Sequence, residues 1–232
     1  MSETRNPVPT RRALLLGAAG GAAVLMLPAC ASTGGPLSME EAIRRLLLLS
    51  AENAFARLTM PGGYWDEQIA RAGLGTMLGA RGDVLTRILT SALIKDRLEE
   101  EFASIAVEAS FRAAPIVTDV VRMIGFQNAL DLVRGGPSAG TAFLRGEVGE
   151  ALIDAMVPGL GEGLRLARDP LLSEAVRALT GVDSRAAANR FGQTINDAIW
   201  GEIAREEAEI RANPRATRDP LLISVFGASN LL

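Results

Sequence analysis

The stretch from Ser38 to Leu58, SMEEAIRRLLLLSAENAFARL, decides the fold class. Ile43, Leu46, Leu47, Ala51, Ala54, Phe55 and Leu58 recur at i, i+3 and i+4, which is the period of one face of an α-helix. Leu48 and Leu49 widen that face beyond what a surface helix needs, so this helix is expected to be packed on two sides. Ser38-Met39-Glu40-Glu41 reads as a capping box, with Ser38 bonding forward and Glu41 bonding back. Glu52 and Asn53 interrupt the apolar pattern, and polar groups need partners wherever they are buried.

Toward the C-terminus, Pro61-Gly62-Gly63 stops this helix. Gly73, Gly75 and Gly79 then predict an irregular stretch from Tyr64 to about Gly82. Tyr64-Trp65 admits two readings, a loop platform for contacts or a plug at the end of the core. Helical spacing returns from Asp83 to Ala114, through Leu98, Phe102, Ile105 and Ala109, and Pro115 is expected to kink this helix or start another. Gly135-Gly136-Pro137 is the strongest stop signal, with Ser138 placed to cap the next helix. Further helices are expected over 138–157, 160–179, 184–212 and 215–226, the last two parted at Asn213-Pro214. Alternating β-type runs are essentially missing. The expectation is an all-α protein, an irregular bundle of about seven to nine helices with no significant sheet.

Toward the N-terminus, Arg11 and Arg12 lead into an apolar and small-residue run over 13–29 with the layout of a secretory signal, and the paired arginines point to the twin-arginine route. The run is short of the about 20 apolar residues that a membrane span needs. Leu27-Pro28-Ala29-Cys30 resembles the lipobox of bacterial lipoproteins, in which the cysteine is acylated and becomes the new N-terminus. An ordinary signal peptide with its cysteine there by chance is the competing reading. Ala31, where an aspartate would resemble an inner-membrane retention signal, favours the periplasmic side of the outer membrane. The expected division is 1–29 signal peptide, 30–37 lipidated cysteine and flexible tether, and 38–232 a single helical domain.

Composition narrows the chemistry further. The formal charge of −3 becomes −5 once Arg5, Arg11, Arg12 and Glu3 are removed with the signal, which leaves no electrostatic footprint for nucleic acid. With no histidine, imidazole ligands and histidine general bases are excluded. With one cysteine, itself the lipidation site, disulfides, thiolate zinc sites and cysteine nucleophiles are excluded too. Carboxylates, hydroxyls, Lys95, Tyr64 and arginines remain, so a carboxylate site for calcium or magnesium stays chemically open. No catalytic residue, metal ligand or cofactor is assigned.

The densest charged group is Arg205-Glu206-Glu207-Ala208-Glu209-Ile210-Arg211 before Asn213. One reading is a small polar site near Asn213. The other, which the i, i+4 pairs Glu207–Arg211 and Arg205–Glu209 favour, is a solvated helix face. Glu99-Glu100-Glu101 points in directions about 100° apart and cannot converge on one ion, so a solvated face is expected there as well. Glu52 and Asn53, with Arg112 and Asp119 and with Arg145 and Asn128 as partners, are the candidates for a buried network that fixes helix register or holds a ligand.

Ile203 through Pro214, followed by Leu221-Leu222 and Val225-Phe226-Gly227, resembles the signature end of the bacterial family known as domain of unknown function 4197. Glu52-Asn53-Ala54 with Pro61-Gly62-Gly63-Tyr64, Glu108-Ala109 with Ala114-Pro115-Ile116, and Gln127-Asn128-Ala129 through Gly135-Gly136 to Thr141 and Phe143 fit the same family. The chain departs from that pattern at Asn128, where an aspartate is expected, at Gly140, where Ala139-Gly140-Thr141 replaces Ala-Ala-Thr, and after Pro214, where the expected Arg-Thr-Thr-Asp reads Thr217-Arg218-Asp219-Pro220. The resemblance implies an all-helical exported protein of Gram-negative bacteria and brings no catalytic residue. The expected role is a lipid-anchored periplasmic binding or interaction protein that contacts the membrane through its anchor and holds an envelope protein or an apolar ligand. A carboxylate-dependent cell-wall glycan hydrolase and a purely structural envelope protein are the alternatives.

Overall fold

Leu46, Leu47, Ala51, Ala54 and Leu58 are all fully buried, so the stripe that decides the fold class also builds its centre. They lie on α1 (Pro36–Leu58) in a computed structural model that describes residues 36–78, 92–123, 125, 127–165 and 184–227. The signal over 1–29, Arg11, Arg12, Cys30 and the expected tether through residue 35 lie outside the described residues, whereas its last two residues, Pro36 and Leu37, belong to α1. Beyond α1 the chain forms α2 (Tyr64–Ala72), α3 (Leu74–Leu78), α4 (Ala92–Met123), α5 (Ala129–Arg134), α6 (Ala139–Val148), α7 (Ala151–Arg165) and α8 (Ser184–Ala212). A 3₁₀ turn (Pro214–Thr217) and α9 (Pro220–Phe226) come after α8. Among the described residues there is no strand, and the protein is all-α.

Four long helices close a ring, with α1 packed on α8 and α4, and α7 packed on the same two. Phe102 of α4 meets Phe191 of α8 edge to face at 5.3 Å, while Ile195, Ile199 and Ile203 carry the core along α8. Aromatic pairs in this geometry add about 0.5–1.5 kcal/mol beyond the area they bury. The short helices cover the ring, α2 against α4, α3 against α8, and α5 and α9 against α1. No helix among the described residues is long and apolar enough to cross a membrane.

Several boundaries differ from expectation for identifiable reasons. Glu41 reaches forward to Arg44 and Arg45 at 2.9 and 2.8 Å, and α1 starts at Pro36, ahead of the expected Ser38 cap. The expected irregular stretch is helical from Tyr64 to Leu78, with Gly73, at φ 75°, ending α2 immediately before α3 and Gly75 inside α3; its remainder, from Gly79 to Gly82, lies outside the described residues. Pro115 lies inside the continuous α4. It sits on the exposed side, as does Phe111, whose carbonyl loses its usual amide donor because proline has none. Gly149, at φ 57°, divides the expected 138–157 helix into α6 and α7, and α7 runs on through Pro158 to Arg165, past the break expected before 160; the rest of the expected 160–179 helix lies outside the described residues. Left-handed Arg218 and the Asp219-Pro220 cap split 215–226 in the same way.

Candidate functional site

Glu207 is fully buried, and five contacts account for its carboxylate. Oε1 accepts from the Gly140 amide at 3.0 Å and from Arg211, whose Nε lies at 2.8 Å and Nη2 at 2.7 Å. Oε2 accepts from the Thr141 amide at 2.7 Å and from the Thr141 hydroxyl at 2.6 Å. Those amides belong to the first turn of α6, where backbone N–H groups have no partner within the helix. Ser138 stands at the N-cap but makes no side-chain cap bond, so the expected cap is replaced by a carboxylate from another helix. Arg211 does the converse for α5, donating from Nη1 to the Val133 carbonyl at 3.1 Å and from Nη2 to Leu132 at 2.9 Å. Its guanidinium also lies over the Phe226 ring, 4.9 Å from the centroid.

One turn of α8 therefore holds the positive end of one helix and the negative end of the preceding one, each against the charge that complements its dipole. The Glu207–Arg211 pair is present as the spacing predicts, but it is buried, and the solvated-face reading fails for it. Every oxygen of Glu207 is engaged within the protein, so the pair is a structural clamp with no acceptor left for a substrate.

The neighbouring carboxylate faces the other way. Glu206 is 7% exposed and lines a groove of about 470 Å³ between α1, α8 and the 3₁₀ turn. Leu49 and Ile210 form apolar wall, and Asn53, Asn213 and Thr217 bring polar groups to the same space. The Asn53 amide donates to Glu206 Oε2 at 3.2 Å, and Arg205 donates to Oε1. Arg205 also bonds Glu202 at 3.2 Å and pairs with Glu209 at the rim, while Arg57 stands 3.6 Å from Glu202. Partial burial pulls the Arg205 pKa down, but the charges of Glu202, Glu206 and Glu209 more than reverse it, so the guanidinium stays charged. Thr217 is committed locally, donating to the Pro214 carbonyl at 2.7 Å and accepting from the Asp219 amide at 3.1 Å.

The structure thus brings Asn53, Glu206 and Asn213 to one groove and joins Glu207 to Arg211 just beside it. The other candidates stand apart. Glu52 is exposed. Exposed Arg112 bonds Glu108 at 3.0 Å, and exposed Asp119 bonds Arg122 at 3.1 Å, each within one turn of α4. Arg145 pairs with Asp197, and Asn128 is exposed ahead of α5. Leu49, Ile210 and Thr217 carry no mark of a site in the sequence, because groove walls of this kind look like ordinary core and turn residues. A signal for buried glutamates was present: Ile199, Ile203 and Ile210 form a stripe at helical spacing that runs past positions 206 and 207.

Tyr64-Trp65 plugs the core. Trp65 is fully buried and donates from Nε1 to Ser110 Oγ at 3.1 Å, and Tyr64 packs edge-on to it at 5.1 Å. Lys95 and Glu99 stand 3.6 Å apart across one helical turn, and no cluster of three or more potential metal ligands occurs among the described residues.

A family model described as Protein of unknown function (DUF4197) matches residues 35–227. No curated protein and no solved structure matches the chain.

Proposed function

The chain belongs to the family described as Protein of unknown function (DUF4197), and we propose that it is a non-enzymatic binding module, tethered by lipid on Cys30 to the periplasmic side of the outer membrane. The groove beside Glu206 carries this reading. Its volume falls in the range of small-molecule sites, about 300–1,000 Å³, and mostly apolar walls with a few convergent polar groups are what such sites present. The polar groups are arranged for recognition rather than turnover. Both defined contacts of Glu206 use it as an acceptor, from Asn53 and Arg205, whereas a glycan-cleaving acid has to present a proton. The tether is inferred from the lipobox-like Leu27-Pro28-Ala29-Cys30 and the short segment behind it.

Two experiments test the two halves. Mass spectrometry of the N-terminal peptide from the expressed chain is expected to show acylated Cys30, with Cys30→Ser moving the protein out of the membrane fraction. Titration of the full chain with 1-hexanol as apolar probe is expected to raise the melting temperature, and Leu49→Trp, which fills the groove, to abolish the effect. At a hundredfold excess over Kd the stabilisation is about 2.7 kcal/mol. For a domain of this size that corresponds to about 5–10 °C. An unmodified Cys30 defeats the tether; an unchanged melting temperature, or one that rises equally in Leu49→Trp, defeats the groove.

A further inference from the structure

We infer that the groove selects a small ligand bearing one primary ammonium on an apolar stem, with Glu206 as its anchor; this rests on the groove being the binding site. Three carboxylates, Glu202, Glu206 and Glu209, surround two guanidiniums, Arg57 and Arg205, which leaves one negative charge uncompensated among the described residues. The guanidiniums do not line the groove, whereas Glu206 and Glu209 do. Glu206 supplies the directional part. Its side chain is 10% exposed, its two oxygens offer about four acceptor positions, and Asn53 and Arg205 fill two of them.

The other polar lining accepts as readily as it donates. The Asn213 side chain makes no hydrogen bond among the described residues and can turn its carbonyl toward a donor, while the Thr217 proton is already given to Pro214. A carboxylate or phosphate head group would meet no cation among the described lining residues and would be repelled by Glu206 and Glu209. An ammonium places its three donors against the open positions of Glu206 and the Asn213 carbonyl, and its alkyl stem against Leu49 and Ile210. The distinction is one of sign: the site rewards a cation and rejects an anion of the same shape.

Three probes of equal length decide the matter in the full chain: hexylammonium, 1-hexanol and hexanoate, each titrated by calorimetry and thermal shift. Hexylammonium is expected to bind at least tenfold more tightly than hexanol, and hexanoate not to bind. Glu206→Gln is expected to bring hexylammonium down to the affinity of hexanol and to leave hexanol unchanged. Should Glu206→Gln fail to fold, salt supplies the second measurement in the unaltered protein, because a charge-anchored ligand loses affinity as ionic strength rises and hexanol does not. Hexanol binding as tightly as hexylammonium overturns the ammonium preference while leaving the groove in place. Binding by none of the three overturns both. A preference that survives in Glu206→Gln, or that ignores salt, overturns Glu206 as the anchor.

Discussion

Replacing Glu207 by alanine is the sharpest test of the clamp. The substitution removes the acceptor for the Gly140 and Thr141 amides and for the Thr141 hydroxyl, all buried, and takes the Glu207 carboxylate away from Arg211, whose side chain is 9% exposed. Breaking a buried pair by removing one partner costs about 3–5 kcal/mol. Against a total stability of about 5–15 kcal/mol that is a large share. Glu207→Gln keeps the shape but turns an amide NH₂ toward either Arg211 or the α6 amides, so it recovers little. Glu209→Ala is the control: its side chain is 63% exposed, and loss of its pair with Arg205 costs about 0.5 kcal/mol. Urea denaturation of the full chain reads these differences as shifts of midpoint at constant slope. In a double-mutant cycle, Glu207→Ala with Arg211→Ala is expected to cost less than the sum of the singles, because each single already loses the same Glu207–Arg211 contact. A Glu207→Ala variant that loses under about 1 kcal/mol, no more than the exposed control, refutes the clamp.

Asp219 caps α9 by accepting from the Leu221 and Leu222 amides at 2.8 and 3.2 Å and takes Arg45 at 3.1 Å, so Asp219→Ala is expected to cost about 0.5–2 kcal/mol in the same assay. Partial burial acts to raise the Asp219 pKa, but the two amides and Arg45 outweigh it and hold the carboxyl below its ordinary value. Its stabilisation is therefore complete above the unfolded pKa, about 3.9, and is lost as pH falls through the lower folded value; Asp219→Asn should flatten the acid limb of the stability profile. Gly135→Ala should destabilise, since a Cβ there would lie 2.5 Å from the Ala139 Cβ, whereas Gly136→Ala, with open space around it, should be neutral; equal melting temperatures would contradict this. Trp65→Ala, which empties a fully buried site and strips the Ser110 hydroxyl of its donor, should cost about 3–5 kcal/mol by denaturation, and a loss below about 1 kcal/mol would show that the plug is dispensable.

Long periodic helices were legible in the sequence. The α1 stripe and the bounds of α8, expected over 184–212 and found as Ser184–Ala212, arise from repeated apolar spacing that tertiary contacts only reinforce. Short helices were harder. Of the glycines read as loop between Tyr64 and Leu78, Gly73 joins two helices, because a single positive φ is compatible with helix on both sides, and Gly75 lies within α3. Glu207 was obscured for a different reason. An i, i+4 pair looks the same on a solvated and on a buried face, and what buries this one is a pair of amides 66 and 67 residues away in the chain. Asn53 and Asn213 were legible as candidates, but the space they share is set by how α1 crosses α8, which no local pattern encodes.

The pairing of α1 with α8 also bears on the order of assembly. These helices are separated by on the order of a hundred residues, so the centre of the ring forms only after a long loop has closed. Until α8 has been synthesised, α1 carries an apolar stripe with one of its two principal neighbours missing, and the turn between α5 and α6 lacks the residues that seat both its ends. A nascent chain halted before Glu207 therefore has an incomplete fold at α1 as well as at α5 and α6, and commitment to the native state waits on the synthesis of α8.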